Sequence, residues 1–106
     1  MEPDVKARYQ MRARILKAMA HPTRLFLIDE LARGERCVCE LTAMVGADTS
    51  TVSKHLSVLR EAGIVSDEKR GLMVFYSLRV PCVTSVFRCV EGVLEANAAA
   101  TLSAIR

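Results

Sequence analysis

Leu41-Thr42-Ala43-Met44-Val45-Gly46-Ala47-Asp48-Thr49-Ser50-Thr51-Val52-Ser53-Lys54-His55-Leu56-Ser57-Val58-Leu59 is the stretch that decides the fold of this 106-residue chain. The segment from Val38 to Val45 carries Leu41, Met44 and Val45 on one side and stops at Gly46, a residue suited to closing a helix in left-handed backbone. Directly after it, Asp48, Thr49 and Ser50 offer N-capping oxygens, and Val52, Leu56 and Leu59 recur at helical spacing. That pattern predicts a helix from about Thr49 to Ala62, ending at Gly63. Two short helices joined by the tight Gly46-Ala47-Asp48 turn predict a helix-turn-helix.

Downstream the period changes. Ile64 to Lys69 and Leu72 to Leu78 read as two strands around Arg70-Gly71, a β-hairpin with a basic tip. A last helix starts near Cys82 and carries Val86, Phe87, Val90, Val93 and Leu94 toward the C-terminus. Upstream, Val5, Tyr9, Met11, Ile15, Leu16 and Met19 recur every three or four residues among Lys6, Arg8, Arg12, Arg14 and Lys17, a first amphipathic helix from Asp4 to Ala20. Pro22 opens a second helix with Leu25, Ile28, Leu31 and Ala32 as its apolar stripe, running to about Arg33 before Gly34. The expected fold is mainly α with a small β-hairpin: a winged helix-turn-helix of five helices plus wing, one domain over residues 1–106.

With Val52, Leu56 and Leu59 toward the core, a rotation of 100° per residue puts Ser50, Lys54, Ser57 and Glu61 on the opposite face, with Thr51 and Ser53 on its flanks. Short hydroxyls and one cation at the N-terminal half of a helix suit base edges and phosphates in a major groove. A solvated face whose Ser and Thr residues merely cap is the alternative. The adjoining Lys69-Arg70-Gly71 wing tip favours DNA.

Composition bounds the class. The chain is 51% hydrophobic with only five aromatic residues, which suits helices packed on helices, and its formal charge of +3 permits nucleic-acid binding without requiring it. No run of about 18 apolar residues exists, and Met1-Glu2-Pro3-Asp4 lacks a signal-peptide pattern, so a cytoplasmic protein without membrane contact is expected. The four cysteines are then expected to be reduced, as packing residues, ligands or redox sensors.

His21-Pro22-Thr23-Arg24-Leu25, Cys37-Val38-Cys39-Glu40-Leu41 and Ser50-Thr51-Val52-Ser53-Lys54-His55-Leu56 occur in order before the hairpin. Together they make the chain, from Ile15 to Leu78, resemble the ArsR/SmtB family of metal-responsive repressors. The resemblance implies a homodimer held by the first and last helices and an inducer that lowers affinity for a near-palindromic operator duplex. It also implies that Ser50, Thr51, Ser53, Lys54 and His55 lie where members reach DNA, with Lys69 and Arg70 on the wing. For His55, packing beside the apolar face is the competing role.

Cys37 and Cys39 stand at the entrance to the third helix, at its N-cap and second helical position, where amide N–H groups, the helix dipole and Arg36 favour thiolate. Sulfurs two residues apart can clamp one soft ion; a disulfide between them closes a small strained ring, so ligation is preferred over oxidation. Burial as small hydrophobes is the alternative. The family's Cys-Val-Cys sensing motif implies a thiophilic inducer, arsenite or antimonite first and cadmium or lead next, with no permanent cofactor. Arsenite-responsive members often carry a further cysteine three residues on, where this chain has Thr42. Cys82 is the expected additional metal ligand, and Cys89 is assigned to packing at the dimer interface.

The zinc site that other members build on the last helix is excluded, since that helix has no histidine. A repressor that senses oxidants or reactive sulfur with the same cysteines is the alternative function. Cys-x-Cys without a βαβ context, and the lack of a Ser-His-Asp set or phosphate loop, argue against an enzyme.

Overall fold

A computed structural model describes residues 1–105. Its order is α1 (Pro3–Met19), α2 (Pro22–Leu31), β1 (Arg36–Cys37), α3 (Val38–Val45), α4 (Thr49–Glu61), β2 (Val65–Arg70), β3 (Met73–Leu78), a 3₁₀ turn (Pro81–Thr84) and α5 (Ser85–Ala104). The architecture is the expected winged helix-turn-helix, with one strand more than the sequence reading contained.

Local signals set most boundaries. Asp48 caps α4, its carboxylate accepting from the Thr51 amide at 2.7 Å, and Val52, Leu56 and Leu59 are each fully buried. Gly46 closes α3 with φ of +76°, a left-handed conformation that favours glycine. In the wing Arg70 pairs with Met73, leaving Gly71-Leu72 as a two-residue loop. Gly71 has φ of +62° while no non-glycine residue has positive φ, the pattern of a type II′ turn. The turn therefore sits one residue later than Arg70-Gly71, and Arg70 belongs to β2.

Three expectations are corrected. The buried stripe of α2 is Leu27, Ile28 and Leu31, whereas Leu25 and Ala32 are exposed, because the helix turns Leu27 toward the hydrophobic cluster. Arg36–Cys37 is a short strand antiparallel to β3, with Arg36 opposite Tyr76 and Cys37 opposite Phe75. Two residues are too few to show periodicity; the pairing comes from a distant partner. The last helix begins at Ser85, and Cys82 lies in the preceding 3₁₀ turn, where the Thr84 hydroxyl donates to the Pro81 carbonyl at 3.0 Å.

The core joins the end of α1, α2, α3, α4 and the hairpin through Met19, Leu27, Ile28, Leu41, Leu56 and Leu59, among others. Each such side chain contributes about 1.5–3 kcal/mol on burial. The terminal helices are different. Val5, Tyr9, Met11, Ile15 and Leu16 of α1 and Val90, Val93 and Leu94 of α5 are exposed, and no residue of α5 is buried. The chain exposes 7542 Å², where a compact monomer of its mass exposes about 5,900 Å². Its radius of gyration is 16.9 Å, against about 13 Å for a compact chain of this length. Among the described residues no helix is long and apolar enough to cross a membrane.

Candidate DNA interface and thiol site

The outer face of α4 presents Ser50, Thr51 and Lys54 fully exposed, with Ser53 half-buried on the flank toward α3. The Thr51 hydrogen bonds hold the Asp48 carboxyl below its ordinary range, so the cap stays ionised at the positive end of the helix. At the other end of α4, Arg60 pairs with Asp67 of β2 at 3.0 Å, fixing the wing against the recognition helix.

The two wing cations differ. Lys69 is exposed and, among the described residues, takes part in no ion pair. Arg70 is committed: its guanidinium reaches both carboxylate oxygens of Glu35 at 2.6 and 2.9 Å, Glu68 at 3.0 Å, and lies 4.6 Å from the centre of the Phe75 ring. Those carboxylates raise its pKa further. The expectation that Arg70 is a free DNA-facing charge is corrected, because its charge is neutralised within the chain.

His55 is also placed differently. It is half-buried; its Nδ1 accepts from Arg24 Nε at 3.1 Å and its ring lies 4.4 Å from that of His21. Burial, then the neighbouring His21 and Arg24 charges, lowers its pKa. His21 in turn caps α2, its Nδ1 accepting from the Thr23 amide at 3.1 Å. This cluster ties the start of α2 to α4, so His55 positions the recognition helix instead of facing DNA. Arg24 and Glu35 were missed because their partners lie 31 and 35 residues away.

Cys37 is the N-cap of α3, as expected. Its Sγ accepts from the Glu40 amide at 3.3 Å while the Glu40 carboxylate accepts from the Cys37 amide at 3.1 Å, a capping box with sulfur in the place of a hydroxyl. Glu40 was missed, although its position three residues after the cap was readable. Cys37 is buried and Cys39 exposed, and a disulfide joins them. The preference for ligation over oxidation is thus not the state the structure holds. Where extended backbone at Cys37 turns into helix, the Cα atoms lie 5.4 Å apart, inside the range a disulfide spans.

The pair lines a cavity of about 330 Å³ together with Val38, Thr49, Ser53 and the wing residues Leu72, Met73 and Val74. Cys82 and Cys89 are free and exposed, and Cys82 does not line this cavity. Among the described residues, no three His, Cys, Asp or Glu side chains are grouped so as to hold a metal ion. The expected triad of Cys37, Cys39 and Cys82 is therefore not assembled within one protomer. A 3₁₀ turn also lacks the extended helix dipole that argued for thiolate at Cys82.

Residues 21–67 match the model of the bacterial regulatory protein, arsR family. The chain is 39% identical over 84 residues to the arsenic resistance transcriptional regulator ArsR1 of Pseudomonas putida, covering 78% of this chain and 66% of that protein. It is 36% identical over 97 residues to a transcriptional repressor SmtB homolog of Synechocystis, covering 90% of this chain and 74% of the relative. Among solved structures, the homodimeric winged helix-turn-helix DNA-binding domain of a possible ArsR-family regulator from Mycobacterium bovis superposes with a TM-score of 0.76 at 28% identity, covering 92% of this chain and 91% of that one. These relatives are transcriptional regulators, not enzymes. Helix-turn-helix, wing and sequence similarity together place this chain in the arsR family of bacterial regulatory proteins, the ArsR/SmtB winged helix-turn-helix repressors.

Proposed function

We propose that the protein is a homodimeric repressor that releases a near-palindromic operator when a thiophilic metalloid, arsenite or antimonite first and cadmium or lead next, binds Cys37 and Cys39. The observation that carries this reading is the shared cavity: the cysteine pair faces Thr49 and Ser53 of α4 and Leu72, Met73 and Val74 of the wing across one space. Chemistry at the sulfurs thereby acts on both elements that would touch DNA. Cys37 also belongs to β1, whose partner on β3 is Phe75, the ring against which Arg70 rests. An inducer must favour the DNA-free arrangement, and couplings of roughly 1–3 kcal/mol are typical.

A dimer is supported by the exposed apolar faces of α1 and α5 and by the homodimeric Mycobacterium bovis neighbour. The surface in excess of a compact monomer, about 1,600 Å², is ample for a stable interface at roughly 800 Å² per partner. Each chain then presents one α4, and two half-sites lie about one turn of duplex apart or a multiple of it. Selection of binding duplexes from a random pool tests this. A two-fold symmetric consensus with two chains per duplex is expected, and one chain bound at saturation contradicts it.

A second reading is favoured by the Cys37–Cys39 disulfide itself: the pair responds to oxidants or reactive sulfur, closing and opening that bond. Titration of the protein–DNA complex with arsenite, antimonite, cadmium and a persulfide donor separates the two. Release by metalloid from the reduced protein supports the first; release only on oxidation, reversed by a thiol, supports the second.

A further inference from the structure

We propose that the Cys37–Cys39 site is built for a trivalent arsenical or antimonial that already carries one carbon substituent, with that substituent lodged in the cavity against the wing. The inference rests on the metalloid reading above and narrows its ligand class. Valence comes first. A bare trivalent ion uses three soft donors, but two thiols meet here. Thr42, one turn past Cys39, supplies a hydroxyl in place of a thiolate, and among the described residues no third His, Cys, Asp or Glu joins the pair. A monosubstituted ion needs only two thiolates, because carbon fills its third position.

The cavity fits that third position. Its walls on the wing side are Leu72, Met73 and Val74, with Val38 beside the cysteines. The volume of about 330 Å³ exceeds the ~150 Å³ that suffices for a benzene ring in an apolar protein cavity. An oxygen in the same position faces mostly hydrocarbon and loses part of its hydration. Thr49 and Ser53 form the wall toward α4, so a group seated here stands between the recognition helix and the wing.

The chemistry balances. A low-molecular-weight thiol first reduces the disulfide, two equivalents of thiol giving the two cysteine thiols and the oxidised thiol dimer. The arsonous acid R–As(OH)₂ then exchanges both hydroxyls: two As–O bonds break, two As–S bonds to Cys37 and Cys39 form, and two waters leave. Arsenic keeps its oxidation state and the As–C bond is untouched.

The test uses the full chain, reduced with a phosphine so that no competing thiol is present, and compares phenylarsonous acid with arsenite. Intact mass should show one phenylarsenic per chain with loss of two waters. Competition should show binding about tenfold or more tighter than arsenite, as burial of an aromatic ring provides. The adduct should persist in the Cys82→Ser/Cys89→Ser double variant and vanish in Cys37→Ser. Val74→Phe, which fills the cavity, should shrink the preference for phenyl over arsenite; should Val74→Phe fail to fold, Leu72→Asp, at a fully exposed position, reads out the same wall. Arsenite binding as tightly as the phenyl compound and requiring Cys82 overturns this proposal and leaves metalloid sensing standing. If neither compound binds the reduced pair, metalloid sensing fails as well.

Discussion

α4 and α5 are both amphipathic helices written in similar apolar residues, yet their surroundings are opposite. Val52, Leu56 and Leu59 of α4 are completely buried by their own chain, whereas the twenty residues of α5 bury none. The same periodic pattern therefore has two meanings. In α4 it anchors a helix whose other face is free for DNA, and in α5 it leaves a surface that a second copy is suited to cover.

Substitutions at the two helices should separate these roles. Leu56→Ala opens a cavity in a filled core and should destabilise the chain by about 2–5 kcal/mol in denaturant unfolding. Leu94→Glu on α5 should leave the monomer's secondary structure intact while abolishing dimerisation in sedimentation, and with it operator binding. A Leu94→Glu chain that remains dimeric would remove α5 from the interface. Leu56→Ala with unchanged stability would contradict the packing of α4.

The wing sharpens the comparison with a smaller effect. Lys69→Ala should lower the salt slope of DNA binding by about 1, the loss of one phosphate contact. Arg70→Ala should change that slope less, because Glu35 and Glu68 already neutralise Arg70. Equal slope changes in the two variants would show that Arg70 leaves its carboxylates to reach DNA.

The smallest expected effect concerns pH. His55 has a folded pKa below its ordinary value of 6.5, so the folded state favours the neutral ring. Its contribution to stability is complete above pH 6.5 and is lost as pH falls through the depressed folded value. His55→Asn should flatten the fall in unfolding midpoint below pH 6.5; an unaltered pH profile would show that His55 is not its source.

Legibility in the sequence followed the range of the interaction. Asp48 before Val52, Leu56 and Leu59, and the Gly71 turn, are local signals, and they located α4 and the wing to within a residue or so. The placement of β1 on β3, the Glu35–Arg70 pair and the Arg24–His55 contact are long-range and leave no periodic trace. At the thiol site, the N-cap position of Cys37 was readable. That Cys82 stands apart from the pair was not, since it depends on the 3₁₀ turn that delays α5 until Ser85.

The central claim is that the Cys37–Cys39 pair controls DNA affinity, and operator release by the Cys37→Ser chain tests it most directly. Serine can keep the cap of α3, so fold and operator binding should survive while the thiol chemistry is lost. The account predicts that Cys37→Ser binds operator as the unaltered chain does and that trivalent arsenicals no longer release it, whereas Cys89→Ser releases normally. A Cys37→Ser chain that still releases its operator, together with a Cys82→Ser or Cys89→Ser chain that does not, would place the sensor around the last helix and contradict the account.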